Sequence, residues 1–155
     1  MATNIVAAPC KITLSMSITL GGVKRNVKWE REIADVKYTS NEIIPVGTTE
    51  VTIITFAASL AAGATFDEDD IRFLALYNRD DTNFIQIIIA SENSNESAHK
   101  LEAKHFMIIP MSDEGAIDVH DADSSALTVS FDDITSITAL ADTAECDLET
   151  FGVIV

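Results

Sequence analysis

The sequence predicts an all-β protein, an antiparallel β-sandwich with a jelly roll as one form of it, preceded by a short N-terminal arm. Three observations point there. Apolar residues recur at every second position in several segments, turn residues interrupt them about every ten residues, and no segment needs a helical period to explain it. With 155 residues the chain can hold one domain with an adequate core. The expected division is an arm over residues 1–10 and a single sandwich over 11–155.

The first strand is read from "KITLSMSITL". Ile12, Leu14, Met16, Ile18 and Leu20 alternate with Lys11, Thr13, Ser15, Ser17 and Thr19, as in a half-buried strand with one wet face. Gly21-Gly22 breaks it, and "VKRNVKWERE" returns as a charged strand in which Trp29 is the expected packing anchor. Pro45-Val46-Gly47 signals a turn, and the β-branched run from Val51 to Thr55 a strand. "SLAAGA" reads as a loop or one helical turn. "FLALYNRDDTNFIQIIIA", from Phe73 to Ala90, reads as a hairpin whose strands are apolar on both faces. Its expected core residues are Phe73, Leu74, Leu76, Ile85 and Ile87, with Asp80-Asp81-Thr82 at an exposed tip. "SENSNESAHK" follows as a polar loop, and "LEAKHFMIIP" as a strand. "LTVSF", "ITSITAL" and "CDLETFGVIV" supply three more strands, although Ile134, Ile137 and Ala141 also fit helical spacing.

Charge narrows the partners. The net charge is −15. Residues 1–60 hold six basic and five acidic residues, a net of +1, whereas residues 61–155 hold four basic and 20 acidic ones, a net of −16. The acidic part repels phosphate backbones and anionic lipid, so neither nucleic acid nor membrane is an expected partner. No apolar stretch has the length of a bilayer span, and the N-terminus lacks the pattern of a signal peptide, so a soluble protein made in the cytoplasm is expected. Cys10 and Cys146 have no metal-ligand spacing and read as reduced, packed thiols, with a disulfide between them left open.

No group of residues has the types and spacing of a catalytic or cofactor site. The run Asp67-Glu68-Asp69-Asp70 lacks the glycine and alternation of a calcium loop and reads as a solvated turn. Asp118, Asp121 and Asp123, with His120, are the better metal candidates, though a surface loop explains them as well. His99 and His105 would share a face of one extended strand without a third ligand. Lys24, Arg25, Lys28 and Arg31 lie beside Glu30 and Glu32, and read either as a solvated strand face or as a docking edge for an acidic neighbour.

At Asn78 to Ile85 the chain resembles a hairpin pattern of small virion proteins of tailed bacteriophages, with Asn78, Asp80 or Asp81, Thr82, Asn83, Phe84 and Ile85 at the matching places. The alternating opening strand, Val46-Gly47-Thr48-Thr49-Glu50, and Ala141-Asp142-Thr143-Ala144 with Leu148-Glu149 are similar to other family segments. One departure is "KLEAKHFMIIP", which lacks the family's Pro-Gly turn, so Ala103-Lys104 must build that turn differently. The segment 112–133 is also longer and more acidic than the family's.

The resemblance implies a non-enzymatic virion protein, most simply a capsid decoration (cement) protein or another exterior head component. A neck or tail component is the alternative, and a carbohydrate- or calcium-binding sandwich module is the reading from another class. Its partners would be the major capsid protein or neck and tail proteins, with further copies of itself. The near-neutral N-terminal part, with its basic strand, marks the expected docking side: Ile5, Val6, Lys24, Arg25, Lys28, Trp29 and Arg31, with the acidic turns facing water.

Overall fold

The computed structural model describes residues 6–58, 63–111 and 131–155. Among these residues eleven strands run in chain order: β1 (Ala8–Leu20), β2 (Val23–Val36), β3 (Tyr38–Val46), β4 (Val51–Ala57), β5 (Phe66–Asp67), β6 (Ile71–Asn78), β7 (Ile85–Ser91), β8 (Glu96–Leu101), β9 (Phe106–Pro110), β10 (Ile134–Ala141) and β11 (Cys146–Ile154). The expected strands "ITSITAL" and "CDLETFGVIV" are β10 and β11, so the helical spacing of Ile134, Ile137 and Ala141 is incidental. "LTVSF" and "SLAAGA" lie wholly or largely outside the described residues, as do Asp118, Asp121, Asp123 and Ile5.

The chain divides into two compact units, residues 1–38 with Val155, and residues 39–154. This differs from the expected boundary at residue 10. Ala8, Pro9 and Cys10 belong to β1, and the separate body is the whole β1–β2 hairpin.

The hairpin is a two-stranded antiparallel sheet in continuous register from Leu20↔Val23 to Cys10↔Ile33, with Ala8↔Val36 beyond a shift. Gly21 and Gly22 both have positive φ, +57° and +80°, as a type I′ turn requires; the twist of that turn matches the twist of the strands it joins. Near the open end Ala34 and Asp35 together oppose Pro9, a bulge in which Asp35 takes the left-handed conformation (φ 57°).

The second unit is a β-sandwich. One sheet has the order β5-β4-β10-β7-β8 and the other β3-β11-β6-β9. One hydrophobic cluster draws Ile54, Ile85, Ile87 and Ile137 from the first sheet and Val46, Leu74, Leu76 and Leu148 from the second. Taking the strands of this unit in order and setting aside the two-residue β5, one sheet holds the first, eighth, third and sixth, and the other the second, seventh, fourth and fifth. Among the described strands of this unit only β7 and β8 are antiparallel neighbours in both sequence and space. Gly152 in β11 permits the close approach of the Phe66 ring from the other sheet, since a Cβ there would lie 3.1 Å from Phe66 Cζ.

The segment from Phe73 to Ala90 is not a hairpin. β6 lies between β11 and β9 in one sheet, and β7 between β10 and β8 in the other. The six residues between them arch from sheet to sheet. Strands apolar on both faces suit the middle of a sheet, but each here is central to its own. Leu74, Leu76, Ile85 and Ile87 are buried core residues as expected. Phe73 is not one of them; it is half-buried on the outer face, against Phe151.

Polar groups within the arch hold it. Asn78 is fully buried, and its Nδ2 donates to the carbonyls of Asn83 (2.9 Å) and Leu101 (3.1 Å). Asp80 Oδ1 accepts from the amides of Thr82 (2.7 Å) and Asn83 (2.6 Å), an Asx-type turn. Those amides hold the Asp80 carboxyl below its ordinary range.

The missing Pro-Gly turn is built by Lys104. Lys104 takes a left-handed conformation (φ 60°), its amide donates to the Asn78 carbonyl, and its ammonium pairs with Asp81 at 2.7 Å. A second tie closes the β7–β8 connection. Asp132 is buried and accepts from Ser91 Oγ, Asn93 Nδ2 and Asn95 Nδ2. "SENSNESAHK" is therefore a tight turn over 92–95 followed by β8, an edge strand whose charged residues face water.

Candidate functional site

The hairpin sorts its residues by the alternation of its two strands. One face carries Lys11, Thr13, Ser15, Ser17 and Thr19 opposite Glu32, Glu30, Lys28, Asn26 and Lys24. Half of these groups pair with one another: Lys11 and Lys28 both pair with Glu30, and Ser17 Oγ donates to Asn26 Oδ1 at 2.9 Å. Lys28, then Lys11, hold the Glu30 carboxyl below its ordinary range.

The other face is apolar. It carries Cys10, Ile12, Leu14, Met16, Ile18 and Leu20 opposite Ile33, Arg31, Trp29, Val27, Arg25 and Val23. Burial falls along it. Ile33 at the open end is buried and Ile12 and Leu14 are half-buried, but Met16, Ile18, Leu20, Val23, Val27 and Trp29 are all exposed. Trp29 is 54% exposed, so it is no local packing anchor, and β1 is not the half-buried strand its pattern suggested.

Strands of 13 and 14 residues rise about 3.3 Å per residue and lie about 4.8 Å apart, so this face is roughly 40 Å long. Contiguous apolar surface above a few hundred Å² marks an interaction site in soluble proteins. A two-stranded hairpin by itself is marginal in water and gains stability by packing its apolar face.

The docking residues expected from sequence divide between these faces. Trp29, Arg25 and Arg31 lie on the apolar face, and Lys24 and Lys28 on the polar one. Val6 is 86% exposed, just before β1. The basic stretch is thus two separate features, two arginines set among apolar residues and two lysines among hydroxyls and carboxylates.

A second apolar surface covers the outside of the four-stranded sheet. Tyr77 pairs with Phe106, Ala75 with Ile108, and Ala75 on its other side with Phe151. Phe73 and Phe151 meet edge to face at 6.5 Å. Phe106 is 59% exposed and Ile108 is exposed as well. Sequence reading missed this surface because "FMIIP" is apolar on both faces. The signal available was that β9 is a short strand beside a charged loop.

The remaining candidates carry less. Arg79, Asp80, Asp81, Thr82, Glu145 and Asp147 line an open cleft of about 470 Å³ at the arch. Three of its charged side chains already have partners: Arg79 pairs with Glu149 at 3.1 Å, Asp81 with Lys104, and Asp80 with backbone amides. In Asp67–Asp70 the Asp67 carboxylate accepts from the Asp69 amide, while burial and the neighbouring carboxylates push Glu68 up. His99 and His105 do not share a strand, because β8 ends at Leu101 and a turn intervenes. Among the described residues no three His, Cys, Asp or Glu side chains gather as metal ligands. Cys10 and Cys146 are free thiols, Cys146 in the sandwich core.

Fold and surfaces together define a β-sandwich protein that carries an amphipathic β-hairpin with an exposed apolar face. No protein-family model and no curated protein matches the sequence.

Proposed function

We propose that this chain is a non-enzymatic structural protein of a tailed-phage virion, a capsid decoration protein or another exterior head component, attached through its N-terminal hairpin. The observation that carries the reading is the apolar hairpin face, from Met16 to the Gly21-Gly22 turn and back to Trp29, exposed on both strands. Attachment by such a face needs no deep pocket. Repeated over many copies on a particle, individually modest contacts suffice.

Two further features support it. The interleaved strand order of the sandwich supports a jelly-roll reading, an architecture used in viral shells and also in lectins, so it supports the class by analogy alone. Charge is divided as docking would require. Residues 1–38 hold six basic and three acidic residues, a net of +3, and residues 39–154 hold four basic and 22 acidic ones, a net of −18.

The test is to add purified protein to emptied, undecorated capsids and to isolated tails, and to measure what sediments with each. Binding to capsids, lost in a Trp29→Glu/Met16→Glu variant, is the expected result. Binding to tails alone would move the protein to the neck or tail. Binding to neither would overturn the virion reading.

A further inference from the structure

We propose that the hairpin docks on a second copy of this chain, its apolar face laid across the outer face of the neighbour's β11-β6-β9 sheet. This deepens the reading of the hairpin as a docking element and rests on it. The donor face is the exposed row around Met16, Val27 and Trp29; the acceptor is the aromatic surface of Phe73, Tyr77, Phe106, Ile108 and Phe151. Both surfaces belong to every copy, so each protein can give and receive.

Charge selects this pairing over a hairpin meeting another hairpin. Two hairpin units would bring +3 against +3 and place four arginines, Arg25 and Arg31 from each copy, in one apolar contact. Like charges without carboxylate partners are costly there. The sandwich offers the reverse. Asp67, Glu68, Asp69 and Asp70 outnumber Arg72 at the start of β6, and Asp80, Asp81, Glu145 and Asp147 outnumber Arg79 and Lys104 at its end, so net negative charge stands at both ends of the strand that runs through the acceptor face. Arg25 and Arg31 are six residues apart, about 20 Å along β2, with Val27 and Trp29 between them. β6 is eight residues long, roughly 25 Å, with Phe73, Ala75 and Tyr77 on its outer side. An apolar stretch bounded by two cations thus meets an apolar stretch bounded by net negative charge.

The contact is heterologous, since a hairpin meets a sheet and not its own equivalent. Such contacts build rings or open arrays rather than closed two-fold dimers.

Complementation of full-length variants tests this. Trp29→Glu/Met16→Glu disables the donor, and Phe106→Glu/Ile108→Glu disables the acceptor while leaving the sandwich core intact. Sedimentation velocity of the unmodified protein should show concentration-dependent assembly. Each variant alone should associate at least roughly 30-fold more weakly, the loss typical of a central aromatic contact. Mixed in equal amounts, the two should form a one-to-one complex and stop there, because one intact donor and one intact acceptor remain.

Circular dichroism checks that each variant is folded. Should the donor variant lose its hairpin, the acceptor variant alone must still abolish assembly. A protein monomeric at every soluble concentration, an acceptor variant that assembles normally, or a folded pair that fails to complement would each overturn the proposal. A monomer that still coats capsids would leave the virion reading standing. A protein that assembles but ignores capsids and tails would overturn the virion reading and leave this one.

Discussion

β1 and β7 each set an apolar residue at every second position of one face, and those faces end in opposite environments. In β1 every second residue is apolar from Ile12 to Leu20, yet Met16, Ile18 and Leu20 are more than half exposed. In β7, Ile85 and Ile87 are fully buried and Ile89 is nearly so. Both strands pair with antiparallel neighbours; β1 alternates strictly, while β7 adds Ile88 and Ala90 on its other face. The difference lies in what faces them. β7 has a second sheet about 10 Å away, whereas β1 pairs with β2 alone among the described strands and its outer half is exposed. Alternation specifies a strand with two unlike faces; burial requires a second layer.

Matched truncations give the sharpest way to break this contrast. Ile87→Ala should destabilise the sandwich by about 2–5 kcal/mol, as deletion from a packed core does. Ile18→Ala, the same chemistry on the exposed face, should stay within about 0.5 kcal/mol. Urea unfolding of both variants measures the two values. Equal losses would mean that the hairpin face is as well covered as the core, and the contrast would collapse.

The arch gives a smaller effect. Asn78→Ala removes the donor to the Asn83 and Leu101 carbonyls, which should cost about 1–3 kcal/mol for buried acceptors left unpaired. The matched change in the hairpin, Asn26→Ala, removes only an exposed partner of Ser17 and should leave the urea midpoint unchanged.

The smallest effect expected is a pH dependence. Asn93, Ser91 and Asn95 hold the Asp132 carboxyl below its ordinary range against the opposing effect of burial. The unfolded chain titrates at the ordinary value. This stabilisation is therefore complete above the ordinary carboxylate range and is lost as pH falls through the lower folded value. Asp132→Asn should flatten the acid limb of a plot of Tm against pH. Glu30 in the hairpin is lowered too, but it is a solvent-screened surface pair, and Glu30→Gln should leave that limb unchanged. An acid limb unaltered in both variants would show that the β7–β8 tie contributes nothing to acid sensitivity.

Much of the hairpin was legible in the chain. Gly21-Gly22 between two alternating runs names the turn, and the turn sets the register, so the membership of each face follows without any long-range information. The same alternation placed Arg25 and Arg31 on the apolar face and Lys24 and Lys28 on the other, although read as a single basic stretch they looked like one patch. The aromatic acceptor face was not legible. Phe73 and Leu74 are equally apolar, and only the layer behind the sheet distinguishes the side that holds Leu74 from the side that holds Phe73.

What the sequence by itself determined, then, is local: strands, the turn at Gly21-Gly22, the buried isoleucines of β7, and the division of charge between residues 1–38 and the rest. Those follow from side-chain period, backbone preference and composition, which act over a few residues. The tertiary structure decided which strands became neighbours. Asn78 to Asn83 could close a hairpin or arch between sheets, and the choice rests on bonds from Asn78 to Leu101 and from Lys104 back to Asn78, more than twenty residues away. It also decided that the apolar face of the β1–β2 hairpin stays exposed. Hydrophobic burial is a property of two surfaces together, and a strand's own sequence encodes only one of them.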